Sequence, residues 1–214
     1  MYLPAHFAEH DTEQLYAMMR THPLATLITQ GSDGSEANHL PLRLDPADGV
    51  LRLVGHVARA NPLWREHPVE VPVLAIFHGP QTYVTPSWYP GKQDHGKAVP
   101  TWNYVAVHVR GRLRIIEDAD WLRAQLDTLV DEHEAGFVEP WHVADAPVDY
   151  IEKMISAIVG IEIEITAMQG KWKLSQNQPV ANRTGVIAGL HQRNQPDAAA
   201  VAALMARRET PDAG

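Results

Sequence analysis

Cysteine is absent from this sequence of 214 residues. Its absence excludes disulfide frameworks, cysteine-ligated zinc sites, iron–sulfur clusters and thiol nucleophiles. Long apolar runs are missing too, because the longest, Ala198 to Ala206, is far short of the ~20 residues that span a bilayer. The first residues also lack the basic and apolar parts of a signal peptide, so the sequence predicts a cytoplasmic protein with no membrane partner.

Basic residues are fewer than acidic residues in this sequence. The chain has 18 basic and 26 acidic residues, a formal charge of −8, which works against nonspecific binding to a phosphate backbone. The hydrophobic fraction of 45% and charged fraction of 21% are those of an ordinary globular protein, which excludes a disordered chain.

Common catalytic and nucleotide-binding motifs are also absent. The patterns G-x-G-x-x-G, G-x-S-x-G and H-E-x-x-H do not occur. The segment Gly91–Lys97 has the spacing of a phosphate loop, but Ala98 replaces the required hydroxyl and Pro100 forbids the following helix. Among the 12 histidines only His6 and His10 are closely spaced, so no metal site is predicted.

Hydrophobic periodicity predicts short strands joined by Gly, Asp and Ser turns, with a few helices between them. The clearest strand is 103–115, where Val105, Val107 and Val109 alternate with polar residues. Residues 161–166 alternate in the same way, and the apolar run 71–77 is predicted to be buried on both faces. Helices are predicted at 11–22, 118–134, 146–159, 179–191 and 196–208. About seven antiparallel strands with so few helices indicate a closed or partly closed barrel with flanking helices.

The segment 55–62 has the clearest sequence pattern of a binding site. A strand ends there, and Asn61 followed by Pro62 is typical of a helix start, whose free N–H groups attract anions. Arg59 and His56 would add donors for a phosphate. The alternative is that Arg59 only solvates the helix start and His56 is an ordinary histidine at a sheet edge.

Two further segments stand out. The connection 85–102 is longer than most structureless loops and contains Trp88, Tyr89 and Trp102, which suit stacking on a planar ring, filling a subunit interface, or covering the barrel mouth without a ligand. In the segment 170–177, Lys171 and Lys173 share one face of a strand and Trp172 takes the other. Such a strand would end at a ligand's polar tail, or be an edge strand protected by lysines.

These segments together resemble one family, the PaiB-type FMN-binding negative transcriptional regulators, which are relatives of the pyridoxamine-phosphate-oxidase-like split barrels. The resemblance runs nearly from end to end of the chain. The segments that carry it are 1–7, 39–42, 55–62, 85–90, 95–104, 160–165 and 170–177.

The resemblance implies a mainly β protein with flanking helices, a six-stranded antiparallel FMN-binding split barrel that forms a homodimer with flavin at the subunit boundary. The barrel domain would be 1–178, and 179–214 a helical extension packed on it or on the partner subunit. Arg59 would be a principal ligand of the phosphate. Ala58 and Ala60 stand where related oxidases commonly have a serine and a second basic residue, so phosphate affinity would be either weaker or shared with Arg43 and Lys171. The expected cofactor-binding residues are His39, Leu40, Pro41, Leu42, Arg43, His56, Arg59, Asn61, Trp102, Asn103, Lys171 and Trp172.

The function attached to the family is repression of transcription. The helices 179–191 and 196–208 have the outline of a helix-turn-helix, but the second has only Arg207 and Arg208 as phosphate contacts. Direct DNA binding is therefore weakly supported. The alternatives are a flavin-dependent oxidoreductase and a flavin or haem sensor without turnover; the sequence assigns no catalytic residue.

Overall fold

The computed structural model describes residues 1–46, 49–68, 71–92 and 96–208. Its α-helices are α1 (Thr12–Thr21), α2 (Leu63–Glu66), α3 (Ala119–Glu134), α4 (Val148–Ser156), α5 (Val180–His191) and α6 (Pro196–Arg207). Its strands are β1 (Ala8–Glu9), β2 (Leu24–Gly31), β3 (Gly34–Pro41), β4 (Arg43–Asp45), β5 (Arg52–Ala58), β6 (Val73–Val84), β7 (Thr101–Ile116) and β8 (Ile158–Lys173). In the described part of the chain, no helix is long and apolar enough to cross a membrane.

The chain divides into two compact units. The larger comprises residues 16–77 and 108–168, and the smaller comprises 1–15, 78–107 and 169–214. The long strands β6, β7 and β8 each contribute residues to both units. The described residues of the expected helical extension, 179–208, lie in the smaller unit, and the rest of the extension lies outside the described residues.

The larger unit contains an antiparallel barrel. Its strands hydrogen-bond in the order β3-β2-β6-β7-β8-β5-β4. The two ends of this order, β3 and β4, are consecutive in the chain and separated by Leu42 alone. One bent segment therefore pairs with β2 through its first half and with β5 through its second, which closes the barrel.

Alternation along the strands fills the barrel with apolar side chains. On β7, Val107, Val109 and Leu113 are buried while the intervening arginines point outward. One of these, Arg114, lies 2.8 Å from the buried carboxylate of Glu162 on β8. Gly111 completes the inward row at a position where a Cβ would lie 2.4 Å from the backbone oxygen of Glu164. The glycine is needed because β8 passes too close there for any side chain.

Helices α3 and α4 of the larger unit pack on each other through an apolar cluster. Leu122, Val143, Ile151 and Ile155 are its buried members. Asp118 is the N-cap of α3, and its Oδ1 accepts a hydrogen bond of 2.7 Å from the Trp121 backbone N–H. This cap confirms the helix start that the sequence predicts.

The smaller unit contains β1, which pairs with β8 at Lys171 and Gly170, and the helix pair α5–α6. Gly185 and Gly189 of α5 sit against Trp88, where a Cβ would lie 2.1 Å from the Trp88 carbonyl oxygen and 2.3 Å from its ring. Trp88 therefore packs directly against α5 of the helix pair. Residues 93–95 of the predicted connection 85–102 lie outside the described residues.

The structure differs from the expected elements in four respects. The sheet has eight strands rather than six, because the short β4 is added at one end of the strand order and the short β1 pairs with β8 outside that order. The segments 161–166 and 170–173 form one continuous strand. Residues 73–77 alternate between buried and half-buried positions instead of being buried on both faces. The helix predicted to start at Asn61 is the four-residue α2, too short to provide the predicted anion site.

Candidate functional site

The residues expected to bind the cofactor fall into two groups. Those between 39 and 61 belong to the larger unit, whereas Trp102, Asn103, Lys171 and Trp172 belong to the smaller one. Each group is therefore described within its own unit.

The consecutive strands β3 and β4 point alternate side chains to opposite faces of the sheet. Leu40 and Leu42 point into the core and are 5% and 1% exposed. His39 and Pro41 are exposed on the other face, and Arg43 is half-buried there. The Nδ1 atom of His39 lies 3.1 Å from Thr26 Oγ1 on β2. Of this segment, only His39, Pro41 and Arg43 have side chains placed to meet a ligand outside the barrel.

Asn61 ties the turn after β5 to strand β3. Its Nδ2 donates to Asn38 Oδ1 at 2.7 Å, and its Oδ1 accepts from the backbone N–H of Leu63 at 2.9 Å. Both polar atoms of the side chain thus have protein partners. Asn61 organises the turn, and Asn38, which sequence reasoning did not single out, is part of that arrangement.

Arg59 is bonded to the protein through all three of its guanidinium nitrogens. Nε donates to Ser156 O at 2.8 Å, Nη2 to Ile158 O at 3.1 Å and Nη1 to Glu117 Oε2 at 2.6 Å. These bonds use three of the five N–H donors, and Arg59 also lines a cavity of about 330 Å³ with Glu117 and Arg123. The contacts join β5 to the start of β8, and the Glu117 carboxylate beside Arg59 disfavours a phosphate there, so the role of principal phosphate ligand stays a prediction.

Arg43, in contrast to Arg59, has a guanidinium with few hydrogen bonds to the protein. Its Nε is buried without a hydrogen-bond partner, and its Nη1 reaches Leu44 O only at 3.3 Å. The nearest carboxylates, Asp45 and Glu132, lie 3.7 Å and 3.9 Å from Nη1. A buried, poorly satisfied guanidinium is costly unless another group completes its bonding. Arg43 therefore has the unused donor that an anion requires.

A cavity of about 340 Å³ lies beside Arg43. Arg20 and His133 also line it, together with Glu132, and its apolar wall includes Leu44 and Leu129. Pockets that take organic ligands typically combine such an apolar wall with a few polar anchors. Size and lining both suit an organic anion.

The layer between β5 and α3 contains further unsatisfied polar atoms. His56 Nδ1 and both side-chain amide atoms of Gln125 are buried without a hydrogen bond of normal geometry. Burial lowers the pKa of His56, and the neighbouring Gln125 amide acts in the opposite direction. His56 is thus held neutral beneath α3. Gln125 was missed in the sequence, although a lone amide beside the apolar Leu122 and Leu126 was a usable signal.

In the smaller unit, the expected residues are mostly buried. Lys171 is 7% exposed, and its Nζ donates to Tyr2 O at 3.0 Å and lies 5.3 Å from the Tyr104 ring centroid. Trp172 is 4% exposed and Asn103 fully buried. Trp102 remains about half exposed, with Nε1 donating to Gln81 Oε1 at 3.2 Å. Lys171 therefore has partners within its own unit and is less available to a phosphate than Arg43.

The described residues contain no group of three or more His, Asp or Glu side chains placed to hold a metal ion. Arg43 and its cavity, with the exposed face of β3 on the same strand segment, thus form the candidate site of the larger unit.

Comparisons with known proteins identify the family and the fold of the chain. A protein-family model described as "Putative FMN-binding domain" matches residues 1–167. The chain is 31% identical to the "Protease synthase and sporulation protein PAI 2" of Bacillus subtilis, over 96% of each chain.

Solved structures show the same fold at low sequence identity. The flavocytochrome Anf3 from Azotobacter vinelandii matches with a TM-score of 0.56 and 18% identity, covering 78% of this chain and 69% of its own. The FAD and heme binding protein from Mycobacterium smegmatis matches with a TM-score of 0.54 and 17% identity, covering 78% and 73%. The split-barrel fold is thereby confirmed.

Proposed function

The chain belongs to this FMN-binding family, and from that membership we propose that it is an FMN-binding flavoprotein of the PaiB type. The observation that carries the proposal is the family match, which spans every strand of the barrel up to residue 167. Arg43 supports it, because this cation lines the cavity with an incompletely bonded guanidinium, and a flavin phosphate at its terminal nitrogens would add charged hydrogen bonds.

The residues of the larger unit suit different parts of such a cofactor. Arg43 would hold the phosphate, with Arg20 and His133 nearby in the same cavity. The exposed face of β3, with His39 and Pro41, would lie along the rest of the molecule. Bound flavin supplies hydride and one-electron transfer, and the protein's part is to position it and exclude competing reactions.

The test is a titration of the purified chain with FMN and riboflavin, followed by absorbance and flavin fluorescence. We expect saturable binding of one FMN per chain and weaker binding of riboflavin, which has no phosphate. Absence of saturable FMN binding would refute the proposal.

Regulation of transcription is the role suggested by the resemblance to PaiB-type proteins. The structure offers α6 little means to read DNA directly. Its first turn carries Asp197, its residues Val201 and Met205 are buried, and Arg208 just beyond it is paired with Glu9. A recognition helix normally contacts base edges with residues near its N-terminus. This argues against direct reading of DNA by α6 and leaves two alternatives, a flavin-dependent oxidoreductase and a flavin or haem sensor without turnover.

We therefore expect any DNA binding by this chain to be weak and strongly dependent on salt. With a net charge of −8, attraction must come from a local patch, and such binding falls by roughly 10³- to 10⁵-fold between 50 and 200 mM salt when 6–10 phosphates are contacted. Fluorescence anisotropy with labelled duplex DNA measures this dependence. A nanomolar complex that persists through that rise in salt would favour the regulator; rapid bleaching of bound flavin by reduced nicotinamide would favour the oxidoreductase.

We further propose that the protein is a homodimer. Trp102 of the aromatic segment is about half exposed, and Val99 nearby in the chain is 75% exposed. Exposed apolar side chains of this kind often mark an interface between subunits. Sedimentation at micromolar concentration is expected to give a dimer, and a monomer would contradict the proposal.

A further inference from the structure

The smaller unit contains a cavity of about 150 Å³ with both apolar and polar residues in its lining. The polar side chains around it are those of Tyr89, Thr101, Asn103, Lys173, Ser175, Asn177 and Gln178. The described residues that line it include one cation and no carboxylate. A site with this donor set favours an anion.

Lys173 provides the positive charge. Its Nζ donates to Thr101 Oγ1 at 2.7 Å and to Trp102 O at 2.9 Å. An ammonium group has three N–H donors, so these two hydrogen bonds leave a third for a ligand. Burial is the main cause that lowers the pKa of Lys173; Lys171 acts in the same direction and Tyr104 in the opposite one. A bound anion would stabilise the charged form.

The opposite wall is a network of buried polar groups. Asn103 is fully buried and Ser175 is 3% exposed. Ser175 Oγ donates to Asn103 Oδ1 at 3.1 Å, and Asn103 Nδ2 has the weak acceptor Met205 Sδ at 3.6 Å. Burial raises the pKa of Tyr89, so its hydroxyl keeps its proton and can act as a donor. Polar groups are thus held in place by contacts across the unit.

Ser175 is also the one non-glycine residue of the described chain with a positive φ, at 63°. Side chains other than glycine, asparagine and aspartate rarely adopt this conformation, and such residues concentrate at ligand-binding positions. The local sequence Leu-Ser-Gln contains no residue type that predicts this positive φ. The strained backbone presents the Ser175 hydroxyl to Asn103.

We propose that this cavity binds a small oxyanion, a single carboxylate or phosphate group carried by a small molecule, with Lys173 as its charged partner and the hydroxyls of Tyr89 and Thr101 as further donors. The volume suits a molecule of a few heavy atoms and is too small for a flavin ring system. The inference goes beyond the proposed flavin binding, since the cavity and the Arg43 cavity are formed by different residues in different units.

The test titrates the full-length protein, free of flavin and at constant ionic strength, with acetate and with inorganic phosphate by isothermal titration calorimetry. We expect saturable binding of at least one of them with a Kd of about 1 mM or tighter. The variant K173M is expected to weaken it at least tenfold, because it removes the ammonium and keeps most of the side-chain length. No saturable binding of either anion to the wild type would overturn the proposal.

Lys171 provides the matched control. It lies two residues before Lys173 on β8, but its Nζ bonds to Tyr2 O and it does not line the cavity. K171M should therefore change the anion Kd by less than about twofold, provided that the protein remains folded. An equal loss in both variants would show that general positive charge is responsible, and would overturn the site.

A second variant, T101V, guards against misfolding of K173M. It removes one hydroxyl from the lining and is expected to weaken the anion severalfold, with the melting temperature measured in parallel. An unchanged affinity in both T101V and K173M would place the anion elsewhere.

The source of the oxyanion is distinguished by repeating the titration after loading with FMN or with riboflavin. A separate small-molecule site predicts that anion binding persists with both flavins. Loss of anion binding with FMN but not with riboflavin would identify the bound group as the flavin's own phosphate, and would refute a separate site while leaving flavin binding intact.

Discussion

Replacing Arg43 with alanine is expected to weaken FMN binding roughly ten- to a hundredfold and to leave riboflavin binding nearly unchanged, because a charge-assisted hydrogen bond contributes about 1.5–3 kcal/mol. The Nε of Arg43 is buried without a partner, and the nearest carboxylates stand 3.7 Å and 3.9 Å away. The phosphate is the part of FMN that riboflavin lacks, so a phosphate ligand affects only one of the two.

Arg43→Lys should restore part of the affinity. Lysine keeps the charge but cannot present the planar pair of donors that matches a phosphate. Fluorescence titration of the wild type and both variants with the two flavins measures the effect. A similar loss of FMN and riboflavin would mean that Arg43 supports the fold and not the phosphate.

Arg59→Ala is the matched control, because Arg59 lies in the same unit and each of its guanidinium nitrogens already donates to a protein acceptor. Its loss is expected to lower the free energy of unfolding by about 1–2 kcal/mol, since two backbone carbonyls lose a charged donor and the ion pair with Glu117 is partly exposed. The affinity ratio of FMN to riboflavin should stay that of the wild type. A selective loss of FMN here, but not in Arg43→Ala, would support the interpretation drawn from the sequence alone.

Gly111→Ala is expected to cause a large loss of stability. A Cβ at this position would lie 2.4 Å from the backbone oxygen of Glu164 and 2.4 Å from Ile163 Cγ2, both on the neighbouring strand β8. Strand backbone cannot move aside without breaking the ladder, so the cost should reach about 3 kcal/mol, the upper end of the range for overpacked cores. In a chain of this size that corresponds to a fall in Tm of very roughly 6–12 °C.

Gly136→Ala is the comparison variant, because a Cβ there would meet nothing within 4 Å. Its stability should stay within about 0.5 kcal/mol of the wild type. Thermal unfolding followed by circular dichroism compares the two. Equal melting temperatures for Gly111→Ala and Gly136→Ala would show that the barrel relaxes around position 111 and that the close approach is not rigid.

Much of the fold could be predicted from the sequence because strands and helices leave local periodic signals. Alternating valines predict β7 within two residues of its observed ends, Thr101 and Ile116, and Asp118 marks the start of α3. Such signals depend on neighbours a few positions apart. The division of 34–45 into β3 and β4 was not predicted, since it depends on pairing with β2 on one side and β5 on the other.

The candidate site likewise has some features that the sequence predicts and others that only the tertiary structure determines. His39 and Arg43, near the ends of consecutive strands, were singled out in the sequence, whereas Arg20 on α1 and His133 on α3 were not. The resemblance to FMN-binding proteins could be stated from sequence segments alone. Which arginine is available to an anion was decided by tertiary structure. The partners of Arg59 lie 58, 97 and 99 positions further along the chain, so no local pattern reveals that each of its guanidinium nitrogens already has a protein acceptor. The bent segment 34–45 and the overlying helix α3 likewise leave Arg43 buried beside a cavity with Nε unpaired, because packing geometry and not residue identity determines which donors are satisfied.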